Sequence, residues 1–466
     1  MKKFLKITAA IIILLLLCYF GFFKYRQIQA NNISIPGSTN ALLKINVDEL
    51  YKTIAVSYIK HPSQYSGADK KGIKEKVDDL NTGLKIPANI YLYSLNGKAK
   101  TTFFSTFEIT DTLAFNRFIQ KKSALPLIKK DKNFFQSKDS TFYILFNKTT
   151  VALAYTPKKE QIKTTLIEIL SRKNMIKVGE SRFNDLINLS DHISFQNTEN
   201  FSKINFTDGK INFSNEFINK MFEPSAKPQH RVLNPESTVS MWLNGKFKTE
   251  LIKKNQTVSP SLLPKDNFFR FYKDYVDFEW TNTITQVDTV VGYEYNDDFE
   301  RVEKKVLQDR KIPFISMNLT ANDREVSDYL KSLGALDQST GKISSSMIPL
   351  YQVYFKANSG NIQLSTVQNA KPDLKRVSSD DFFYFKVDFK KLIKQTPMPL
   401  IADKLGTFSQ LEIRAKSIEK DKIKLESELS FLNEDANALI QLLKTFKNGL
   451  QNQLNLKSAL DISIHK

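Results

Sequence analysis

Apolar and polar residues alternate with period two along much of the chain, and the alternating runs are separated by shorter stretches of helical spacing. Residues 42–47 (LLKINV) read as a strand, with Asp48 placed to cap a helix behind it. Residues 89–95 and 102–109 read as strands around Asn96-Gly97, a favoured hairpin turn. Thr110 or Asp111 then caps a helix whose apolar residues are Leu113, Phe115, Phe118 and Ile119. A further hairpin is expected at 141–155, a helix from Lys158 to Arg172, a strand at 192–196, and paired strands flanking Asp208-Gly209. Beyond them the pattern predicts strands at 268–280, 284–295 and 312–319 and a helix at 323–334. It then predicts a hairpin at 350–367, a strand and short helix over 382–395, and strands at 409–418 and 422–432. A capped helix from Asn433 to about Leu450 follows, and ALDISI near the end can add a last strand.

Two stretches break the pattern. Residues 223–236 (EPSAKPQHRVLNPE) hold three Pro and read as a linker; residues 255–267 form a second such stretch. The order of elements before and after the first repeats. PGSTNALL (36–43) corresponds to PESTVSMW (235–242), FSKINF (201–206) to FSQLEI (408–413), and GKINFSNEF (209–217) to DKIKLESEL (421–429). Between these ends lie a strand running into a capped helix (103–119 and 313–330) and a hairpin (141–155 and 350–367). The expected fold class is α+β. Two tandem domains of antiparallel sheet with helices packed on one face, related by duplication, would occupy residues 33–222 and 237–466, joined by the 223–236 linker.

The amino terminus departs from all of this. MKKFLK carries three Lys, residues 7–23 (ITAAIIILLLLCYFGFF) carry no charge, and Lys24 and Arg26 close the segment. Seventeen residues at about 1.5 Å each reach roughly 25 Å, near the short limit for a membrane-spanning helix. Residues 1–30 therefore read as an uncleaved signal-anchor, because the apolar core exceeds that of a secretory signal. Ile28-Gln29-Ala30 makes a poor cleavage site, and Leu17-Cys18 a poor lipoprotein site. Lys2, Lys3 and Lys6 place the amino terminus in the cytoplasm. The expectation is a single-pass protein of the bacterial inner membrane, held in the lipid bilayer through residues 7–23, with its bulk extracytoplasmic or periplasmic.

Composition narrows the function without naming it. The net charge is +19, but only 11 of the 68 basic residues are Arg, and no run reaches five. Bidentate reading of phosphates and bases relies on Arg, so no nucleic-acid partner is expected. One Cys and four His exclude a Cys-based zinc finger or a disulfide scaffold. There is no HExxH, no GxSxG, and the stretch from Gly334 to Lys342 fails as a phosphate loop because its glycines are too far apart. Ser57-x-x-Lys60 and Ser417-x-x-Lys420 lack the KTG partner of serine acyl-transferases. His192 opens an apolar strand and reads as a hydrogen-bonded structural histidine. No catalytic, cofactor or metal residue is assigned. The most interesting constellation is YVDFEW (275–280), whose alternation sets Tyr275, Asp277 and Glu279 on one face and Val276, Phe278 and Trp280 on the other. The apolar face has the stronger claim on the core, so both carboxylates are expected to be exposed and nearly silent on substitution.

The Lys-flanked anchor, the opening IPGSTNALLKINVDEL and the closing ELSFLNEDANALIQLL resemble uncharacterised bacterial envelope proteins. These are single-anchor or lipoprotein families with repeated α+β domains, and the resemblance transfers no catalytic residue. An anchor plus two sheet domains without a convergent catalytic set points to a membrane-anchored extracytoplasmic binding or scaffolding protein, not an enzyme, acting on an envelope partner. The alternatives are an envelope hydrolase using Asp277 and Glu279, or a lipid- or lipoprotein-handling protein suggested by the 35 Phe.

Overall fold

A computed structural model describes residues 21–22, 24–65, 81–122, 127–248, 271–295, 299–371, 375–396 and 405–446. The anchor expected over 7–23 falls almost wholly outside these residues, as do the second Pro-containing stretch and the last strand. Among the described residues no helix is long and apolar enough to cross a membrane. The chain is mostly antiparallel sheet with some helices, an α+β fold. It divides into two compact units, residues 1–215 with 435–441 and residues 216–434 with 442–466.

The first unit opens with helix α1 over residues 24–31, then β1 (Ser34–Pro36) and β2 (Thr39–Asn46). Asn46, not Asp48, caps α2 (Val47–Lys60): its side chain accepts from the backbone of Glu49. Asp48 is drawn away by Arg26. The chain continues through β3 (Asn89–Leu95) and β4 (Phe103–Glu108) to α3 (Thr112–Arg117), capped by Asp111 as expected. Four strands follow, β5 (Leu127–Asp131), β6 (Phe134–Ser137), β7 (Phe142–Phe146) and β8 (Thr150–Tyr155). Then come α4 (Lys163–Leu170), β9 (Met175–Lys177), β10 (Ile193–Gln196) and β11 (Asn200–Thr207). The sheet order is β11-β10-β2-β3-β4-β8-β7-β6-β5, every pair antiparallel. The helix α4 packs on β8 and β7. It sets Leu166 and Ile169 into a core with Leu42, Tyr93, Phe104 and Phe183. The turn after β11 is made at Gly209 with φ +67°, in the left-handed region that glycine tolerates best.

Strand β12 (Lys210–Ile218) runs across the boundary at residue 215, and the second unit continues with β13 (Phe222–Pro224) and β14 (Gln229–Arg231). The expected linker thus carries structure: Glu223 and Pro224 pair with the end of β15 (Val239–Phe247), and β14 pairs with β20 (Arg376–Ser378). The strands expected at 268–280 and 284–295 are one, β16 (Tyr272–Tyr295), because the Thr-Asn-Thr stretch between them is absorbed as a register shift. Next come β17 (Arg301–Ala321), α5 (Asp323–Ser332), β18 (Tyr354–Asn358) and β19 (Asn361–Ser365). The unit ends with β21 (Phe383–Asp388), α6 (Phe389–Gln395), β22 (Phe408–Glu419) and β23 (Lys422–Phe431). The order is β23-β22-β21-β15-β16-β17-β19-β18, again antiparallel throughout.

Candidate functional site

In the second unit three strands lie side by side where the chemistry concentrates. Trp242 of β15 faces Asp277 of β16, which faces Asn318 of β17; one step on, Ser240 faces Glu279, which faces Ser316. Strand alternation puts Tyr275, Asp277 and Glu279 on a common face, as the sequence predicts. Their exposure is the reverse of the expectation. Asp277 is 0% exposed and Glu279 6%, and Tyr275 is buried with them. Both faces of this segment are covered, since Val276 is buried too.

The reason is Arg231. β14 carries it across the carboxylate face from the stretch expected to be a linker, held in register by Arg231↔Arg376 and Gln229↔Ser378. Its Nε donates to both Asp277 oxygens at 3.3 and 3.2 Å. Its Nη2 bridges the two carboxylates, at 3.1 Å to Asp277 and 2.9 Å to Glu279. Neutral donors add to these bonds. Asn318 Nδ2 and the Tyr275 hydroxyl each donate to Asp277 at 2.9 Å. The Asn234 amide and the Ser237 hydroxyl donate to Glu279 at 2.6 and 2.7 Å. The Tyr275 oxygen accepts the Arg231 amide. Above the network the ring of His230 stacks on Trp242 with centroids 4.6 Å apart, and the Arg376 guanidinium lies 4.1 Å over the Tyr275 ring.

Burial pulls the Arg231 pKa down, but hydrogen bonds and charge from Asp277, then Glu279, outweigh it and hold the guanidinium above its ordinary value. Burial, followed by the negative charge of Asp277, pushes the Tyr275 phenol up. A buried carboxylate pair would be costly alone; here one guanidinium and four neutral donors compensate it. Every carboxylate oxygen already has a donor, so the arrangement ties the β14 segment onto the sheet.

A second buried ion lies in the first unit. Lys44 on β2 is 0% exposed, and its ammonium donates to the carbonyls of Leu186, Ile187 and Leu189 at 3.1, 2.9 and 2.9 Å. Burial lowers its pKa to about 8, against the raising effect of Asp191 and Glu49. Nearby His192 behaves as the sequence predicts. Its Nδ1 accepts the Phe206 amide at 2.8 Å, which makes Nε2 the protonated nitrogen facing the Thr53 hydroxyl, also at 2.8 Å. Burial lowers its pKa. Ser57 is buried and bonded to the Tyr65 hydroxyl at 2.6 Å. In the Gly334–Lys342 loop the carboxylate of Asp337 occupies the turn and accepts from Ser339 and Thr340. Among the described residues no three His, Cys, Asp or Glu side chains are grouped to hold a metal.

No protein-family model and no curated protein matches the chain. Among solved structures, crystal form I of TP0453 aligns over 74% of this chain and 91% of its own, at 9% identity and a TM-score of 0.21. Crystal form III of TP0453 aligns over 74% and 92%, at 10% identity and a TM-score of 0.19. Likeness at that level assigns neither fold nor function.

Among the described residues, a cleft and a strand ribbon lie apart from these buried networks. A cleft of about 530 Å³ in the first unit is lined by Arg26, Ala30, Ile86, Phe107, Thr149 and Met175, among others. Its Arg26 is already engaged with Asp48 and its Lys85 with Glu108. In the second unit β16 and β17 continue past their sheet neighbours as a two-stranded ribbon, paired from Thr283↔Pro313 to Tyr295↔Arg301. At about 3.3 Å per residue its length approaches 40 Å. Its root is fastened by Gln286, which donates to the Gln352 and Thr366 carbonyls, while Gln352 donates back to Val287 and Asp288. Farther out Val291, Tyr293, Tyr295, Phe299 and Leu307 are exposed.

Proposed function

We propose that the chain is a single-pass, membrane-anchored extracytoplasmic protein of the bacterial envelope, retained in the membrane through residues 7–23, that works by binding or scaffolding an envelope partner. The observation that carries the reading is the way α1 is built into the first unit. Arg26 donates to both oxygens of Asp48, which is 2% exposed, at 3.0 to 3.2 Å. Gln27 donates to Asn46 and accepts from Asn89, and Asn31 accepts from Asn89 and Tyr91. Cleavage after Ala30 would remove Arg26 and Gln27 and leave a buried carboxylate unpaired, at a cost of several kcal/mol. The helix that leaves the apolar run is thus a working part of the fold, as suits an anchor that stays.

The binding role is supported by the ribbon. An isolated two-stranded ribbon is marginal in water, and this one keeps large apolar side chains exposed, which marks a contact surface. The tandem, duplicated arrangement belongs to the same proposal. The first unit runs β11-β10-β2-β3-β4-β8-β7 and the second β22-β21-β15-β16-β17-β19-β18, so the matched segments of sequence fall on matched strands. A capped helix follows the equivalent strand in both, with Asp111 before α3 and Asn322 before α5. Intact-mass measurement of the protein from membranes tests the anchor. The expected species contains residues 1–30; a mature form beginning near Asn31 would contradict it.

A further inference from the structure

The helix α2 carries apolar side chains on its outer surface as well as its inner one. Its fully buried side chains are polar, Asp48 and Ser57. Its outer surface carries Tyr51 at 57% exposure, Val56 at 48%, Tyr58 at 53% and Ile59 at 77%. Tyr51, Tyr58 and Ile59 follow helical spacing (i, i+7, i+8) and form an outward stripe, with Val56 on its flank and Lys52, which is paired with Glu49, beside it. A helix on a sheet domain normally turns its apolar stripe inward. Here the inner side combines half-buried Leu50 and Ile54 with hydrogen bonds, Ser57 to Tyr65 and Thr53 to His192, and a second set of apolar side chains faces outward.

We propose that this face of α2 seats the first unit on the bilayer surface. The proposal rests on the anchor reading above and adds to it. Two observations favour lipid as the occupant. First, the stripe is continuous with the anchor's exit: Arg26 of α1 grips Asp48 in the first turn of α2, and Gln27 bonds to Asn46, its cap. Chain leaving the membrane at Lys24 therefore delivers α2 within a few residues of the surface. Exposed Tyr25 and Ile28 on α1, and Ile86, whose carbonyl accepts from Arg26, extend the apolar area around that exit. Second, the composition suits an interfacial helix. Tyrosines prefer the headgroup region, lysines flank the stripe, and a chain of net charge +19 is drawn to anionic lipid. The α2 helix has 14 residues, about 21 Å, enough to lie along the surface but too short to span it.

The test uses the full chain with Cys18→Ser and a single new cysteine, Tyr58→Cys or Ile59→Cys, labelled with an environment-sensitive fluorophore. It is reconstituted into vesicles of mixed phosphatidylcholine and phosphatidylglycerol. Lys129→Cys, on the edge strand β5, serves as the aqueous control. The expected result is blue-shifted emission at 58 and 59, most of it lost when the vesicles carry spin-labelled lipid, with the control unchanged. Aqueous emission at both positions, with the protein still resistant to carbonate, would overturn the seating while leaving the anchor standing. Blue-shifted emission that lipid quenchers do not reach would also overturn it, and cysteine cross-linking between chains would then identify a second copy as the cover. Carbonate release of the protein would instead count against the anchor.

Discussion

Arg231 decides the character of the second unit's polar face. Replacing it with Met would leave Asp277 and Glu279 buried without their shared cation, and such losses cost about 3–5 kcal/mol. Arg231→Met should therefore lower the urea midpoint sharply. Replacing all three residues together with apolar ones should recover much of the loss, because the uncompensated charges vanish with the cation. Asp277→Asn alone should cost about 2 kcal/mol by weakening the bonds from Arg231, in place of the silence that exposure would have given. The sequence could not show this, because the cation is 46 residues away in a stretch rich in proline. Its one visible cue was an arginine next to a histidine in a chain where lysine predominates. The first unit offers a test by pH. The folded pKa of His192 lies below its ordinary value of 6.5. The unfolded chain thus binds a proton first, and stability should decline as pH falls below about 6.5. Lys44, lowered from 10.5 to about 8, has the same sign in another window: its contribution should rise between about pH 8 and 10.5. Lys44→Met removes that titration, so subtracting its denaturation profile from that of the parent chain isolates the effect. A difference that stays flat across the window would show that the carbonyls of Leu186, Ile187 and Leu189 hold the ammonium charged.

Elements were more legible than their partners. Strands at 89–95 and 383–388 and a helix at 389–395 stand where period and capping residues place them, because local pattern suffices for a half-buried strand or a capped turn. The continuity of β16 was hidden, because Thr281-Asn282-Thr283 looks like a break in sequence and only pairing with β17 carries the strand through it. Beyond its root the β16–β17 ribbon has no sheet neighbour among the described residues, so its amides should exchange with solvent much faster than those of residues 276–280, which lie between β15 and β17. Hydrogen-exchange mass spectrometry checks this, and the gradient should start just past Gln286 and Asp288. If the ribbon is the contact element, replacing residues 289–307 with an Asn-Gly turn should leave the second unit's melting unchanged and abolish its cross-linking to envelope partners. Cross-links that persist unaltered would shift the binding role to another surface.

At the scale of the whole molecule, the helix that leaves the apolar run of sequence is incorporated into the fold of the first unit. Arg26, Gln27 and Asn31 belong to the first unit as much as β2 does, and the outward stripe of α2 begins where they attach. Membrane retention through residues 7–23 is the claim on which the rest depends. It is tested most directly by alkaline carbonate extraction of membranes from cells making the full chain. The protein is expected to remain in the pellet at full length, whereas a variant with charged residues placed within 7–23 moves to the soluble fraction. Full-length protein released by carbonate would contradict it.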